Sequence, residues 1–288
     1  MMTAASVPIR PSTSSLTARP FLKWAGGKGR LLEQYQTYFP QRFRQYYEPF
    51  LGGGAVFFHL FGGARSAVLA DLNPELVNVY RCVQHDVERV IDRLQIHQER
   101  HCAEHYYAVR AQTQLTCPWQ RAARLIYLNK TCFNGLYREN SKGNFNVPLG
   151  QYKRPKICDR ETLRNAAAAL QVAHIVEEPF TAVGDRAQGS TDFVYFDPPY
   201  HPISATSNFT GYSRYGFRAA DQVRLRDVFS ELADRGVQVM LSNSDCELIR
   251  DLYAEFHIHE IWAARAINSN ARRRGKITEL LITSYPVP

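Results

Sequence analysis

No run of apolar residues in the 288-residue sequence approaches the roughly 18 needed to cross a bilayer, so no membrane-spanning helix is expected. Paired cysteines are missing too. Cys82, Cys102, Cys117, Cys132, Cys158 and Cys246 are scattered without a C-x-x-C spacing, which suits reduced thiols in the cytoplasm better than a disulfide framework or a zinc site. Residues 1–19 contain no acid and no continuous apolar segment. The missing apolar segment excludes a secretory signal. Their Ser, Thr, Pro and Arg content is shared with organellar transit peptides, and the expectation is a disordered tail on a bacterial or phage protein. No internal repeat is present.

What the chain does have is positive charge. Its 35 Lys and Arg against 27 Asp and Glu give a formal net charge of +8, which favours polyanionic partners, nucleic acid first among them. The length suits one large domain with an insertion, or two smaller ones. Tyr46 to Phe50 reads as a buried strand running into Gly52-Gly53-Gly54 and an apolar helix, Ala55 to Phe61. Ser66 to Leu72 reads as the next strand. Strand, glycine turn, helix, strand is half of a doubly wound α/β sheet. Helical spacing then runs from Pro74 to about Thr131, and residues 132–160 lose periodicity, reading as a surface insertion outside the core. Strands resume at His174–Glu177, Phe193–Phe196, Val237–Leu241, His257–Trp262 and Ile277–Tyr285, with helices at about Arg160–Leu170, Ala219–Arg235 and Asp245–Ala254. The alternation predicts a mainly parallel seven-stranded sheet with helices on both faces.

Three strand ends carry candidate chemistry. Gly52 and Gly54 allow close backbone approach at a helix start, and Asp71 lies 19 residues after Gly52, near the spacing at which an acid reaches ribose hydroxyls. Dehydrogenases show that pattern too. The strand Phe193–Phe196 stops in Asp197-Pro198-Pro199-Tyr200. Proline fixes φ and bars a helix, so this corner offers a carboxylate, free carbonyls and an aromatic face, the set that an exocyclic amine on a planar base requires. Alone, it also fits a rigid turn after a buried strand. His97, His101 and His105 fall at i, i+4 and i+8; their Glu and Arg neighbours suit a solvated helical stripe better than a metal site.

The ordered segments F-L-K-W-A-G-G-K (21–28), E-P-F-L-G-G-G (48–54), A-D-L-N (70–73), N-G-L-Y-R (134–138), F-N-V-P (145–148) and D-P-P-Y (197–200) closely resemble the Dam-type, D12-class N6-adenine DNA methyltransferases. The likeness runs from about residue 20 to 285, including S-A-T-S-N-F-T (204–210) and I-N-S-N (267–270). It implies a Rossmann-like methyltransferase fold with a mostly helical target-recognition insertion. The division expected is a tail (1–19), a catalytic domain (20–73 and 161–288) and a recognition domain (74–160). It also implies S-adenosylmethionine as cofactor, held by Trp24, Lys28, Glu48, Phe50, Gly52, Gly54, Asp71 and Asp197, with no metal. Read singly, Trp24 fits core packing and Lys28 a solvated helix start.

The catalytic residues implied are Asp197, Pro198 and Tyr200, acting on an adenine flipped out of duplex DNA. Lys23, Leu136, Arg138 and Tyr152 match base-contacting positions, and Phe133 with Asn134 match a pair that fills the gap left by the flipped base. Lys153, Arg154 and Lys156, and the basic run Arg272, Arg273, Arg274 and Lys276, suit phosphates. GATC is the expected target, although Gln151 stands where enterobacterial enzymes carry Arg. A monomer, with or without a cognate restriction endonuclease, is the expected state. The competing readings are methylation of cytosine, RNA or protein glutamine, a nicotinamide-dependent oxidoreductase, and a DNA-binding protein that has lost catalysis. An intact Asp197-Pro198-Pro199-Tyr200 favours adenine.

Overall fold

The computed structural model describes residues 17–202, 216–264 and 276–287. Arg272, Arg273 and Arg274, the segments 204–210 and 267–270, and most of the tail lie outside the described residues.

In chain order the elements are α1 (Leu32–Tyr35), β1 (Gln45–Glu48), α2 (Ala55–Leu60), β2 (Ser66–Asp71), α3 (Pro74–His85), α4 (Val87–Glu99), α5 (Ala103–Ala111) and α6 (Pro118–Thr131). There follow α7 (Arg160–Leu170), β3 (Ala173–Glu177), α8 (Val183–Arg186), β4 (Asp192–Phe196), α9 (Ala219–Asp234), β5 (Gln238–Ser244), α10 (Glu247–Leu252), β6 (His257–Ala264) and β7 (Lys276–Thr283). The strands form one sheet in the order β3-β2-β1-β4-β5-β7-β6. The first five run parallel, and β7 lies antiparallel between β5 and β6. The fold is therefore the expected Rossmann-like one, a mixed and mainly parallel seven-stranded sheet.

Alternating side chains divide the sheet between two cores. Phe193 and Tyr195 face one with Tyr46 and Leu69, beneath α3 to α7; Val194 and Phe196 face the other with Leu225 and Phe229 of α9. The order reverses between β1 and β4, the switch point outside which ligands bind in open α/β sheets. Since β1, β2 and β4 are parallel, their carboxyl ends bring Glu48, Asp71 and Asp197 to one edge.

The stretch after Pro74 is four helices, broken at caps such as Asp86, whose side chain accepts the Arg89 N–H. Residues 132–160 are not wholly superficial: Cys132, Phe145, Val147 and Ile157 join the core, and the Val147 carbonyl accepts from Tyr106 and Arg110. An irregular segment buries apolar residues one at a time, so no period reveals them. Finally, the three histidines are half-buried around Tyr127: His97 stacks on its ring, and His101 Nδ1 lies 2.9 Å from its hydroxyl. Burial pushes His97 down to about 4, with the His105 charge adding to it. Among the described residues, no group of His, Cys, Asp or Glu is arranged to hold a metal, and no helix is long and apolar enough to cross a membrane.

Candidate active site

The glycine turn is shaped by an aromatic residue above it and an acid beneath it. Gly52 has φ 48°, and a Cβ there would lie 2.9 Å from Trp24 Cδ1, so glycine is required both by conformation and by close approach. Asp71 Oδ2 accepts the Gly52 N–H at 3.1 Å, while Oδ1 accepts that of Asn73 at 2.9 Å. Burial raises the Asp71 carboxyl above its ordinary value, and these backbone donors oppose the rise. Asn73 then caps α3 through Glu75 and Leu76. Trp24, Gly52 and Asp71 thus form one unit.

Glu48 ends β1 with 3% exposure. Its Oε2 accepts the Tyr46 hydroxyl at 2.9 Å and the Phe57 N–H of α2 at 3.1 Å. Burial pushes its carboxyl up to about 8, with Asp197 adding to the effect and Tyr46, Phe57 and Lys28 opposing it. Phe50 stacks on Phe180 at 5.5 Å, and Phe217 meets both edge-on. Sequence reasoning did not single out Phe180, which follows β3 and is distant in the chain.

Beyond β4, Asp197 Oδ1 receives Lys28 Nζ at 2.7 Å and Ser242 Oγ at 2.9 Å. Lys28 also donates to the Gly26 carbonyl at 2.7 Å, and its ammonium lies 4.7 Å from the centre of the Tyr200 ring. It is buried, not the solvated helix start that its flanks also allow. The Tyr200 hydroxyl donates to Glu279 Oε2 at 2.8 Å, holding the ring at its hydroxyl end while Lys28 lies over one face. One carboxylate oxygen is therefore taken, and no hydrogen bond to Oδ2 is made by the described residues. Pro198 is buried and Pro199 exposed.

The remaining predicted residues divide between a turn and a basic cleft. Phe133 is exposed, and Asn134 adopts φ 55°, the left-handed region that asparagine tolerates better than most residues. Arg138 is exposed, with Nε on Asn146 Oδ1 at 2.7 Å, and Leu136 is half-buried. The neighbouring Tyr137 stacks on Trp24 at 5.4 Å, linking this turn to the glycine unit. Lys23 Nζ lies 4.0 Å from the Tyr152 ring centre, and both line a cleft of about 580 Å³ with Arg19, Lys130, Lys153 and Arg154. Lys156 lines the same cleft and pairs with Asp159 at 2.8 Å.

Two residues here escaped sequence reasoning. Asn129, 1% exposed, accepts the Lys23 N–H at 2.7 Å and donates to the Lys23 and Gly135 carbonyls, tying the two segments together. Lys130 is pushed down to about 8 by burial, with Lys23 adding to the effect. Neither lies in a motif.

Residues 24–267 match the family model for D12 class N6 adenine-specific DNA methyltransferases. Over 279 residues the sequence is 44% identical to the type II methyltransferase M1.LlaDCHI of Lactococcus lactis subsp. cremoris, covering 94% of this chain and 97% of that one. It is 40% identical over 290 residues to the type II methyltransferase M.MjaIII of Methanocaldococcus jannaschii, covering 94% and 100%. Identity to the DNA adenine methylase of Escherichia coli K12 is 36% over 271 residues, covering 93% and 96%.

Proposed function

The chain belongs to the D12 class N6 adenine-specific DNA methyltransferases, and on that premise we propose that it methylates a flipped adenine in duplex DNA, in GATC, using S-adenosylmethionine. The observation that carries this reading is the meeting of the Asp197 corner with the Gly52–Asp71 turn at one sheet edge.

The residues fit the cofactor. Asp71 suits a ribose diol, and the stacked Phe50 and Phe180 rings offer an aromatic surface for a flat base, while glycine at 52 lets Trp24 pack closely over the turn. Glu48 suits a cationic group, which would favour its ionised form. When bound, S-adenosylmethionine supplies a methyl group made electrophilic by a sulfonium. Lys28, assigned to the cofactor by the resemblance, bonds Asp197 and so also holds the catalytic carboxylate.

Asp197 Oδ2 and the Pro198 carbonyl accept the two protons of the adenine amine, aiming the nitrogen lone pair along the line of displacement. Tyr200 stacks on the base. As the carbon–nitrogen bond forms, the nitrogen gains positive charge, which the Asp197 carboxylate stabilises. The amine then sheds a proton to solvent, so no strong base is needed.

For the duplex, Lys23, Leu136, Arg138 and Tyr152 read base edges, with Arg138 suited to a bidentate contact with guanine. Phe133 and Asn134 fill the vacated stack. Lys153 and Arg154, joined by Lys130, hold phosphates in the basic cleft. Arg273 belongs to this proposal on sequence grounds alone. So do the domain division at residues 73–74 and 160–161, action as a monomer in the cytoplasm, and a cognate nuclease as a candidate partner. Relatives named both as type II methyltransferases and as DNA adenine methylases fit either biological setting.

Expression in a host without adenine methylation, followed by genome-wide mapping of modified bases, tests the reading. N6-methyladenine confined to GATC is expected. Another motif would correct the target alone, and unmodified adenine throughout would overturn the proposal.

A further inference from the structure

β5 outlasts β4. The ladder pairs Phe193–Phe196 with Gln238–Leu241, and β5 then continues through Ser242, Asn243 and Ser244 against β7 alone. In that register the Asp197-Pro198-Pro199 segment stands beside the three polar residues. Two of its members are prolines, with no N–H to extend the ladder. Side chains take its place. Ser242 donates to Asp197 Oδ1, Asn243 Oδ1 accepts the His201 N–H at 3.2 Å, and Ser244 Oγ donates to the His201 carbonyl at 2.7 Å.

The other side of the loop is held by Gln222 of α9. Its Nε2 donates to the Pro199 carbonyl at 3.0 Å, and its Oε1 accepts Asn243 Nδ2 at 2.9 Å. Gln222 and Asn243 are both 0% exposed. A carbonyl only accepts, so Pro199 fixes which end of the Gln222 amide faces it, and Asn243 satisfies the other end. Buried amides are tolerated when they are paired in this way.

We propose that Gln222 is a positioning residue for methyl transfer, holding the Pro199 carbonyl toward α9 and thereby turning the Pro198 carbonyl toward the target amine. This rests on the reading that Asp197 and Pro198 accept the amine protons. A residue that precedes proline is confined to extended backbone, so Asp197 and Pro198 share that conformation, and both prolines hold φ near about −65°. With the peptide planar and φ of Pro199 fixed by its ring, the only free torsion between the Pro198 and Pro199 carbonyls is ψ of Pro199, which the Gln222 hydrogen bond restrains. Pinning the second therefore sets the first. Asn243 acts one step further back, by holding the Gln222 amide in register.

The test is steady-state methylation of an adenine-containing duplex by the wild type, Gln222→Met and Gln222→Glu, with thermal unfolding measured alongside. Gln222→Met is expected to lower kcat about 10- to 100-fold, the loss that a displacement on the order of 1 Å produces, with KM for donor and duplex within about twofold. In Gln222→Glu the introduced carboxyl is buried, so it stays protonated into the neutral range and donates in the amide's place. Its kcat should approach the wild type near about pH 6 and fall toward that of Gln222→Met by about pH 9, a limb absent from the wild type. Wild-type kcat in Gln222→Met overturns the inference, as does a Gln222→Glu profile that follows the wild type or stays at the Gln222→Met level throughout. If either variant unfolds, the other decides by the same split. A wild type that transfers no methyl group to adenine removes the functional reading as well; one that does, with unaltered variants, removes this inference alone.

Discussion

Asp197→Asn is expected to lower kcat by about 10²- to 10³-fold with the fold retained, a loss of about 3–4 kcal/mol of transition-state stabilisation. Asparagine removes the charge and replaces Oδ2, the acceptor for the adenine amine, with an NH2 that only donates. Its amide oxygen continues to accept from Lys28 Nζ and Ser242 Oγ, and the Gly26 carbonyl still holds the ammonium. Alanine is a poorer test, because Lys28 is only 5% exposed in its side chain. Removing its partner outright would leave a buried charge unpaired, which destabilises by about 3–5 kcal/mol in well-buried pairs. The developing positive charge on the adenine nitrogen, by contrast, loses its counter-charge in both variants. Single-turnover methylation, with donor affinity measured separately, checks the prediction. A variant within tenfold of the wild type would remove Asp197 from the chemistry.

Glu48→Gln is expected to stabilise the protein increasingly as pH rises. The folded state holds the Glu48 carboxyl at about 8, mainly through burial, against an ordinary value of 4.5. Its folded pKa is raised, so the contribution is fully present below about pH 4.5 and is lost as pH rises through about 8. Across that window the unfolded chain binds fewer protons than the native one, and stability falls by about 1.4 kcal/mol per pH unit from this group. Glutamine keeps an oxygen for the Tyr46 hydroxyl and the Phe57 N–H but has no proton to lose. Urea denaturation at pH 5, 6.5 and 8 should show the variant's advantage over the wild type widening at each step, to about 3–5 kcal/mol in total. Parallel curves would mean that Glu48 is already ionised in the native state. Donor binding should weaken in the same variant, since a neutral amide cannot meet a cationic group.

The sheet and the three strand ends were legible because the signals are local. Phe193–Phe196 is a short apolar run stopped by two prolines, and Gly52 to Asp71 is a fixed spacing within one structural unit. Strand β5 was read to Leu241 because Ser242-Asn243-Ser244 is polar and favours turns; pairing with β7 overrides that preference. The partners of the Asp197 corner were harder to see. Gln222 sits in a helix whose neighbours Asp221 and Val223 give no hint of burial, and its role depends on a carbonyl 23 residues away. Glu279 and Asn129 are similar cases, polar residues whose importance lies in what tertiary packing brings to them. Tyr127 shows the reverse: the histidine spacing was visible, but the ring that gathers the three side chains was not.

Crystals soaked with S-adenosylhomocysteine test the account most directly. The ligand's ribose is expected on Asp71, its adenine against Phe50 and Phe180, and its sulfur facing the Asp197–Pro198 corner. Electron density for the ligand seated away from that sheet edge, with Asp71 and Asp197 untouched, would contradict it.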